Sequence, residues 1–174
     1  MNGVNIRPAK ANDVAAIARI YAEAVSNGTA TFEIKAPDKA EMARRLHTLV
    51  AGNYPYLVAE RSAVVAGYAY AGPYHLRPAY NWTIEDSIYL DPQFQGQGIG
   101  RLLIRQLLAD AEAGGFRQMI ALIGDANNTA SIALHASAGF RPVGTLQSVG
   151  FKHGRWLDVV VMQRPLGSAG SNPP

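Results

Sequence analysis

Among its 174 residues the chain has no cysteine. That absence excludes a disulfide scaffold, a thiolate metal site and a cysteine nucleophile. It fits the cytoplasm, which is the expected location, without requiring it. No run of about 18 apolar residues occurs, so no segment reads as a membrane span and no membrane partner is expected. Residues Met1 to Arg7 lack the basic start and apolar core of a signal peptide. Charge of one sign is scarce too. Sixteen Lys+Arg against 13 Asp+Glu leave +3, which slightly favours small acidic ligands and is too diffuse to argue for nucleic acid. With 48% hydrophobic and 17% charged residues, the composition is that of an ordinary globular protein. The length suits one domain, expected over residues 1–166. The Gly/Ser/Asn/Pro stretch at 167–174 is expected to be a disordered tail.

The periodicity that is present predicts an alternating architecture. Val4 to Arg7 reads as a strand stopped by Pro8. Asn12 then caps a helix whose apolar face is Val14, Ile17, Ile20, Tyr21 and Val25. Asp38 caps a second helix, with Met42, Leu46, Leu49 and Val50 on one side. Tyr56–Glu60 and Val64–Tyr70 read as a hairpin, and Asn81–Leu90 as a further strand ended by Asp91-Pro92. Ile99, Leu102, Leu103, Leu107 and Leu108 repeat at helical spacing up to Gly114-Gly115. A strand (Gln118–Ile123), a helix (Asn127–Ser137) and a closing strand pair (Phe140–Val149, Trp156–Met162) follow. Hairpins mixed with crossovers imply an α/β (α+β) fold, a mixed sheet with helices on its faces.

Gln95-Gly96-Gln97-Gly98-Ile99-Gly100 stands between a strand and a helix. Glycine lets backbone N–H groups converge on one point, and a helix start adds unpaired donors and a positive dipole end. Such a turn can hold a phosphate or pyrophosphate, with Arg101 and Arg105 adding charge; it can equally be a tight connection without a ligand. It is not a P-loop, which needs Lys-Ser/Thr after the last glycine. It is not a dinucleotide fingerprint either, since it lies mid-chain and runs Q-x-x-G-x-G.

Ile88-Tyr89-Leu90-Asp91-Pro92-Gln93-Phe94-Gln95-Gly96-Gln97-Gly98-Ile99-Gly100 resembles the acetyl-CoA signature of the GNAT superfamily of N-acetyltransferases. Asn127-Asn128 and His135-Ala136-Ser137-Ala138-Gly139-Phe140 resemble that family's later block. Tyr80 to Ser87 and Gly150 to Trp156 resemble, more narrowly, its phosphinothricin and methionine-sulfoximine acetyltransferases. The resemblance implies a mostly antiparallel, twisted sheet of about seven strands with helices on both faces. It implies acetyl-CoA wedged between splayed central strands as co-substrate, with no metal. The backbone of Ile88, Tyr89 and Leu90 would pair with the pantetheine arm. Gln95, Gly96, Gln97, Gly98, Ile99, Gly100 and Arg101 would hold the pyrophosphate, and Asn127 would lie near the pantetheine or thioester.

N-acetylation by direct attack needs a base for the amine proton, N–H donors for the oxyanion and a proton for the thiolate, but no enzyme nucleophile. Glu85, on an otherwise apolar strand, suits the base if it is desolvated; a solvent-facing or salt-bridged carboxylate is the other reading. His135 stands where the wider family often has a tyrosine. In the resembling subgroup it would work with the strand glutamate, so a Glu85–His135 pair is expected; a packing histidine is the other reading. The backbone N–H of Leu90 is the oxyanion donor by resemblance. Tyr74, His75, Arg77 and Tyr80 form a loop suited to gripping a carboxylate or phosphinate, though solvated loops collect such residues too. By resemblance Phe32 and Glu33 shape the acceptor pocket. Lys152 and Arg155 lie on a Gly-flanked turn that reads as a plain exposed hairpin; the resemblance to the subgroup implies instead a place near a homodimer interface, with a residue lent to the partner's acceptor pocket.

The expected activity is transfer of the acetyl group of acetyl-CoA to a small amine or amino-acid acceptor such as phosphinothricin or methionine sulfoximine. Transfer to a protein N-terminus or polyamine, and a silent acyl-CoA sensor, are the competing readings. Arg77, Lys152 and Arg155 suit small cationic acceptors poorly.

Overall fold

The computed structural model describes residues 3–173; Met1, Asn2 and Pro174 lie outside it. The elements run β1 (Val4–Pro8), α1 (Val14–Asn27), α2 (Lys39–Ala51), β2 (Tyr56–Arg61), β3 (Val64–Pro73), β4 (Thr83–Leu90), α3 (Ile99–Ala113), β5 (Gln118–Gly124), α4 (Thr129–Ser137), β6 (Arg141–Lys152) and β7 (Arg155–Pro165). This is the expected order. The seven strands form one sheet in the order β1-β2-β3-β4-β5-β7-β6. Neighbours are antiparallel except β4 and β5, whose parallel pairing is made possible by the α3 crossover.

Several ends differ from expectation, each for a local reason. Pro8 closes β1 instead of stopping before it, because β1 is an edge strand that tolerates a missing donor. The cap expected at Asn12 is replaced by a 3-10 turn over Ala11–Asp13. There Asp13 accepts from the Lys10 amide (2.7 Å) and takes both Arg7 guanidinium nitrogens at 2.7 and 2.8 Å. Asp38 does cap α2, accepting from the Glu41 amide at 2.8 Å. The last helix starts at Thr129, not Asn127, because Asn128 is its cap, accepting from Ser131 at 3.2 Å. After β7, residues Gly167 to Gly170 form a turn, with the Ala169 amide donating to Leu166 (2.8 Å).

Each face of the sheet has its own core. On one side Leu103, Ile104, Leu107 and Leu108 of α3 pack on Ala69, Ala71, Ile84, Met119 and Ala121. On the other, Val14, Ile17, Ile20, Tyr21 and Val25 of α1, with Met42 and Leu46 of α2, pack on Tyr56, Val58 and Tyr68. Each fully buried side chain of this size contributes roughly 1.5–3 kcal/mol. β4, at the centre of the sheet, sends alternate side chains into opposite cores.

Candidate active site

The β4–β5 pairing runs only from Thr83↔Gln118 to Asp86↔Ala121. From Ser87 onward β4 stays paired with β3, as far as Leu90↔Gly67, while β5 continues with β7 to Gly124↔Val159. The two central strands thus open into a fork. The Tyr74 amide donates to Thr83 and the Asp91 amide to Ala66, so the odd-numbered residues of β4 turn their backbone groups toward β3. By alternation, Ile88 and Leu90 turn theirs into the fork, where no strand meets them. A chain entering the fork would find a ready row of donors and acceptors.

The strand leads into the glycine turn. Gly96 (φ 70°) and Gly98 (φ 80°) occupy the left-handed region, and Gly98 caps α3. Only glycine takes this conformation without strain, and it aims the free N–H groups of the first α3 turn outward. Asp91 pins the start of the turn: it accepts from the Gln93 amide at 3.1 Å and pairs with Arg19 at 2.5 Å. Arg101 is exposed on the first turn of the helix. Arg61, the last residue of β2, donates to the Gln97 side chain. Sequence reading missed Arg61, since only the hairpin register carries it there.

Glu85 lies on the α1/α2 face of β4, opposite Gly72. Burial, and then the charge of adjacent Asp86, push its carboxyl up to about 7. The expected Glu85–His135 pair is not formed. His135 projects from α4 on the other face, and its Nε2 meets Asp86 Oδ2 at 3.0 Å. Its Nδ1 lies 2.7 Å from the Ser131 carbonyl and must donate to it. Burial pulls the imidazole down, but the hydrogen bond and charge of Asp86 win, so it is raised overall. Ala30, Ser87, Ile88, Tyr89, Asn128 and Ser131 line the fork around Asp86 and His135. Asn127 is exposed beside it, its amide donating to Asp125 Oδ1 (3.0 Å).

The acceptor residues fall into two groups. The β6–β7 hairpin and the α1–α2 loop lock together. Lys152 is 3% exposed, and its ammonium donates to the Thr31 carbonyl at 2.8 Å. Arg155 pairs with Asp125 at 2.6 Å, and Asp125 also accepts from the Thr29 hydroxyl at 3.1 Å. The ring of Phe32 lies where Cβ atoms at Gly124 and Gly150 would be. Lys152 and Arg155 therefore act as struts of their own chain's loop. Glu33 accepts from Tyr21 (2.9 Å) and pairs with Arg45 (2.6 Å). In the second group, Tyr74, His75 and Tyr80 cluster, with Tyr74 and His75 ring centroids 4.1 Å apart, on the exposed β3–β4 loop that carries Arg77.

A model of the acetyltransferase (GNAT) domain matches residues 6–161 of the chain. The chain belongs to the GNAT acetyltransferases. It is 49% identical over 169 residues to a phosphinothricin N-acetyltransferase of Alcaligenes faecalis, covering 97% of this chain and 86% of that protein. It is 37% identical over 163 residues to an L-methionine sulfoximine/L-methionine sulfone acetyltransferase of Salmonella typhimurium, covering 94% and 95%. The crystal structure of a phosphinothricin acetyltransferase from Sinorhizobium meliloti in complex with AcCoA superposes with a TM-score of 0.97, at 48% identity, over 99% of this chain and 93% of the other.

In this GNAT chain a further cavity, of about 230 Å³, lies on the Glu85 face between α1, α2, β2 and β3. Tyr21, Tyr56, Tyr68 and Tyr70 line it with Arg44 and Arg45. Tyr56 and Tyr70 stack at 5.0 Å, and the buried Tyr68 hydroxyl has no partner among the described residues. The tyrosines come from three elements, so no local motif announces them. Among the described residues no group of three or more His, Asp or Glu side chains is placed to hold a metal ion.

Proposed function

We propose that this chain transfers the acetyl group of acetyl-CoA to the α-amine of a small amino-acid acceptor such as phosphinothricin or methionine sulfoximine. The fork carries the reading: free backbone groups at Ile88 and Leu90, then a glycine turn at a helix start. Pantetheine is an extended amide chain ending in a pyrophosphate, and the fork offers hydrogen bonds for the first and N–H donors for the second. The relatives' acceptors, by the names of those enzymes, are amino acids or amino-acid analogues.

Glu85 serves as the base. It takes the amine proton, the nitrogen attacks the thioester carbon, and the Leu90 N–H faces the oxyanion that forms. A carboxyl poised at about 7 suits that task. The Tyr74–Tyr80 loop supplies Arg77 for the acceptor's carboxylate or phosphinate. Arg77→Ala should raise KM for anionic acceptors while leaving neutral amines unchanged. An equal rise for both would remove the clamp. The deciding experiment is a CoA-release assay over phosphinothricin, methionine sulfoximine, methionine sulfone, common amino acids, spermidine and a peptide with a free N-terminal alanine. Release with the amino-acid analogues is expected; release with the peptide or spermidine alone would overturn the acceptor class.

We also propose a cytoplasmic homodimer. Supporting this, edge strand β6 and the facing end of β7 expose Val143, Leu146, Val149, Phe151 and Trp156. A single chain leaves this apolar strip in water.

A further inference from the structure

The cavity of about 230 Å³ between α1, α2, β2 and β3 lies apart from the fork and the glycine turn. Its walls are tyrosine. The rings of Tyr56, Tyr68 and Tyr70 stand nearly parallel, 8 to 19° apart, and Tyr21 of α1 lines the same space. The exposed Arg44 and Thr48 of α2 mark its mouth. Burial pushes the hydroxyls of Tyr56, Tyr68 and Tyr70 up, so these walls are poorly solvated. Charge at the rim is matched. Arg45 pairs with Glu33 at 2.6 Å and Glu41 at 2.8 Å, and Arg44 with Glu41 at 2.7 Å. Among the described residues the lining thus offers flat apolar faces and no unpaired charge.

The cavity adjoins Glu85. Tyr70 pairs with Ser87 and Gly72 with Glu85, so Tyr70 and Glu85 are diagonal neighbours on one face of the sheet, within reach of each other's side chains. Gly72, directly opposite Glu85, has no side chain, and Leu49 of the cavity wall takes that place. Its Cδ2 lies 3.2 Å from where a Cβ would be. The Tyr70 hydroxyl feels the charges of Arg45, Glu85 and Glu33 together. A ligand whose amine stands at Glu85 therefore has the cavity beside it.

We propose that this cavity is a second side-chain subsite of the acceptor site, taking the flat, uncharged side chain of an aromatic amino acid whose α-amine stands at Glu85. This rests on the acetyl-transfer reading above. An apolar cavity of about 150 Å³ is enough to take benzene, so a phenyl or phenol ring fits here with room left. Tyrosine walls favour an offset-stacked or edge-on ring. An anionic side chain is served instead by Arg77 on the exposed β3–β4 loop, because the cations at the cavity are already paired. For an aromatic acceptor, Arg77 takes the α-carboxylate. The chemistry is unchanged. Glu85 takes a proton from the amine, the C–N bond forms, the C–S bond breaks with its electron pair on sulfur, and Glu85 gives its proton to solvent. The products are the N-acetyl amino acid and the CoA thiolate.

The test measures CoA release by wild type, Leu49→Trp and Leu49→Ala with L-alanine, L-phenylalanine and L-tryptophan, and thermal unfolding shows that each variant folds. Wild type should prefer phenylalanine to alanine about ten- to hundredfold in kcat/KM, the gain from burying a phenyl ring. Leu49→Trp puts an indole into the cavity beside Glu85 and should lower the phenylalanine-to-alanine ratio about tenfold. Leu49→Ala enlarges the cavity and should raise the tryptophan-to-phenylalanine ratio several-fold. Hydrocinnamate, which is phenylalanine without its amine, is a probe that needs no reaction. It should compete with the amino-acid acceptor, and by calorimetry it should bind Leu49→Trp at least about tenfold more weakly than wild type. If Leu49→Trp does not fold, Leu49→Ala and the probe decide. Equal use of phenylalanine and alanine, ratios that stay put in the folded variants, or hydrocinnamate that is noncompetitive or does not bind overturns the subsite. Failure of the acetyl-transfer reading shows separately, as no CoA release with any amino acid, alanine included, while hydrocinnamate still binds.

Discussion

Glu85 and Asp86 are adjacent carboxylates with opposite fates. Alternation along β4 sends Glu85 among the tyrosines of the α1/α2 face and Asp86 to His135 on the α3/α4 face. Among the described residues no cation pairs with Glu85, and burial, then the charge of Asp86, hold its carboxyl at about 7 against an ordinary value of 4.5. A folded value above the unfolded one means stability that is full below about 4.5 and lost as pH climbs through about 7. Glu85→Gln should therefore raise Tm at pH 8, by on the order of 2 kcal/mol of stability, and leave it unchanged near pH 4. The same variant should cost kcat about 100-fold while sparing acetyl-CoA affinity. Thermal unfolding at the two pH values checks the first half; unchanged Tm at pH 8 would mean that Glu85 is solvated. That Glu85 sits on an apolar strand is legible in the sequence. The face covered by α4 is not, and so the partner of His135 could not be read.

At the scale of elements, the β6–β7 hairpin and the α1–α2 loop form one unit across about 120 residues of sequence, through Lys152, Arg155 and Phe32. The turn at Lys152 to Arg155 is plain in the sequence, but a contact so distant leaves no local periodicity. Burial pulls the Lys152 ammonium down, and the charge of Glu33 partly restores it. Its hydrogen bond to Thr31 still fixes the loop. A methyl group at position 150 would fall 2.1 Å from the Phe32 ring, which must then leave. Gly150→Ala should raise acceptor KM several-fold and leave acetyl-CoA affinity intact, read by steady-state kinetics and calorimetry. Matched losses of both would show that the loop serves the fork and not the acceptor. The capping of α2 by Asp38 and the glycine start of α3 were legible because such signals act within four residues.

At the scale of the molecule, a mostly antiparallel sheet interrupted by one parallel pair is what makes a fork possible. The order of strands and helices follows from periodicity, and the fork's place from the resemblance of β4 and the glycine turn behind it to the GNAT signature. What the sequence did not show is that the sheet separates Glu85 from His135. The exposed strip around Phe151 and Trp156, 56% and 63% exposed with rings 5.3 Å apart, bears on assembly. Sedimentation should give twice the chain mass, and Trp156→Glu should shift it to the monomer; a monomeric wild type would contradict the dimer. The central claim is that the open edge of β4 and the turn at Gly96 to Gly100 bind acetyl-CoA. Calorimetric titration of acetyl-CoA into wild type and Gly98→Glu tests it most directly. Space is open around Gly98, so the folded structure accepts the change at about 1–2 kcal/mol of backbone strain. The added carboxylate meets the phosphates, and affinity should fall by at least about 100-fold with the protein still folded. Equal affinity in the two proteins would contradict the assignment.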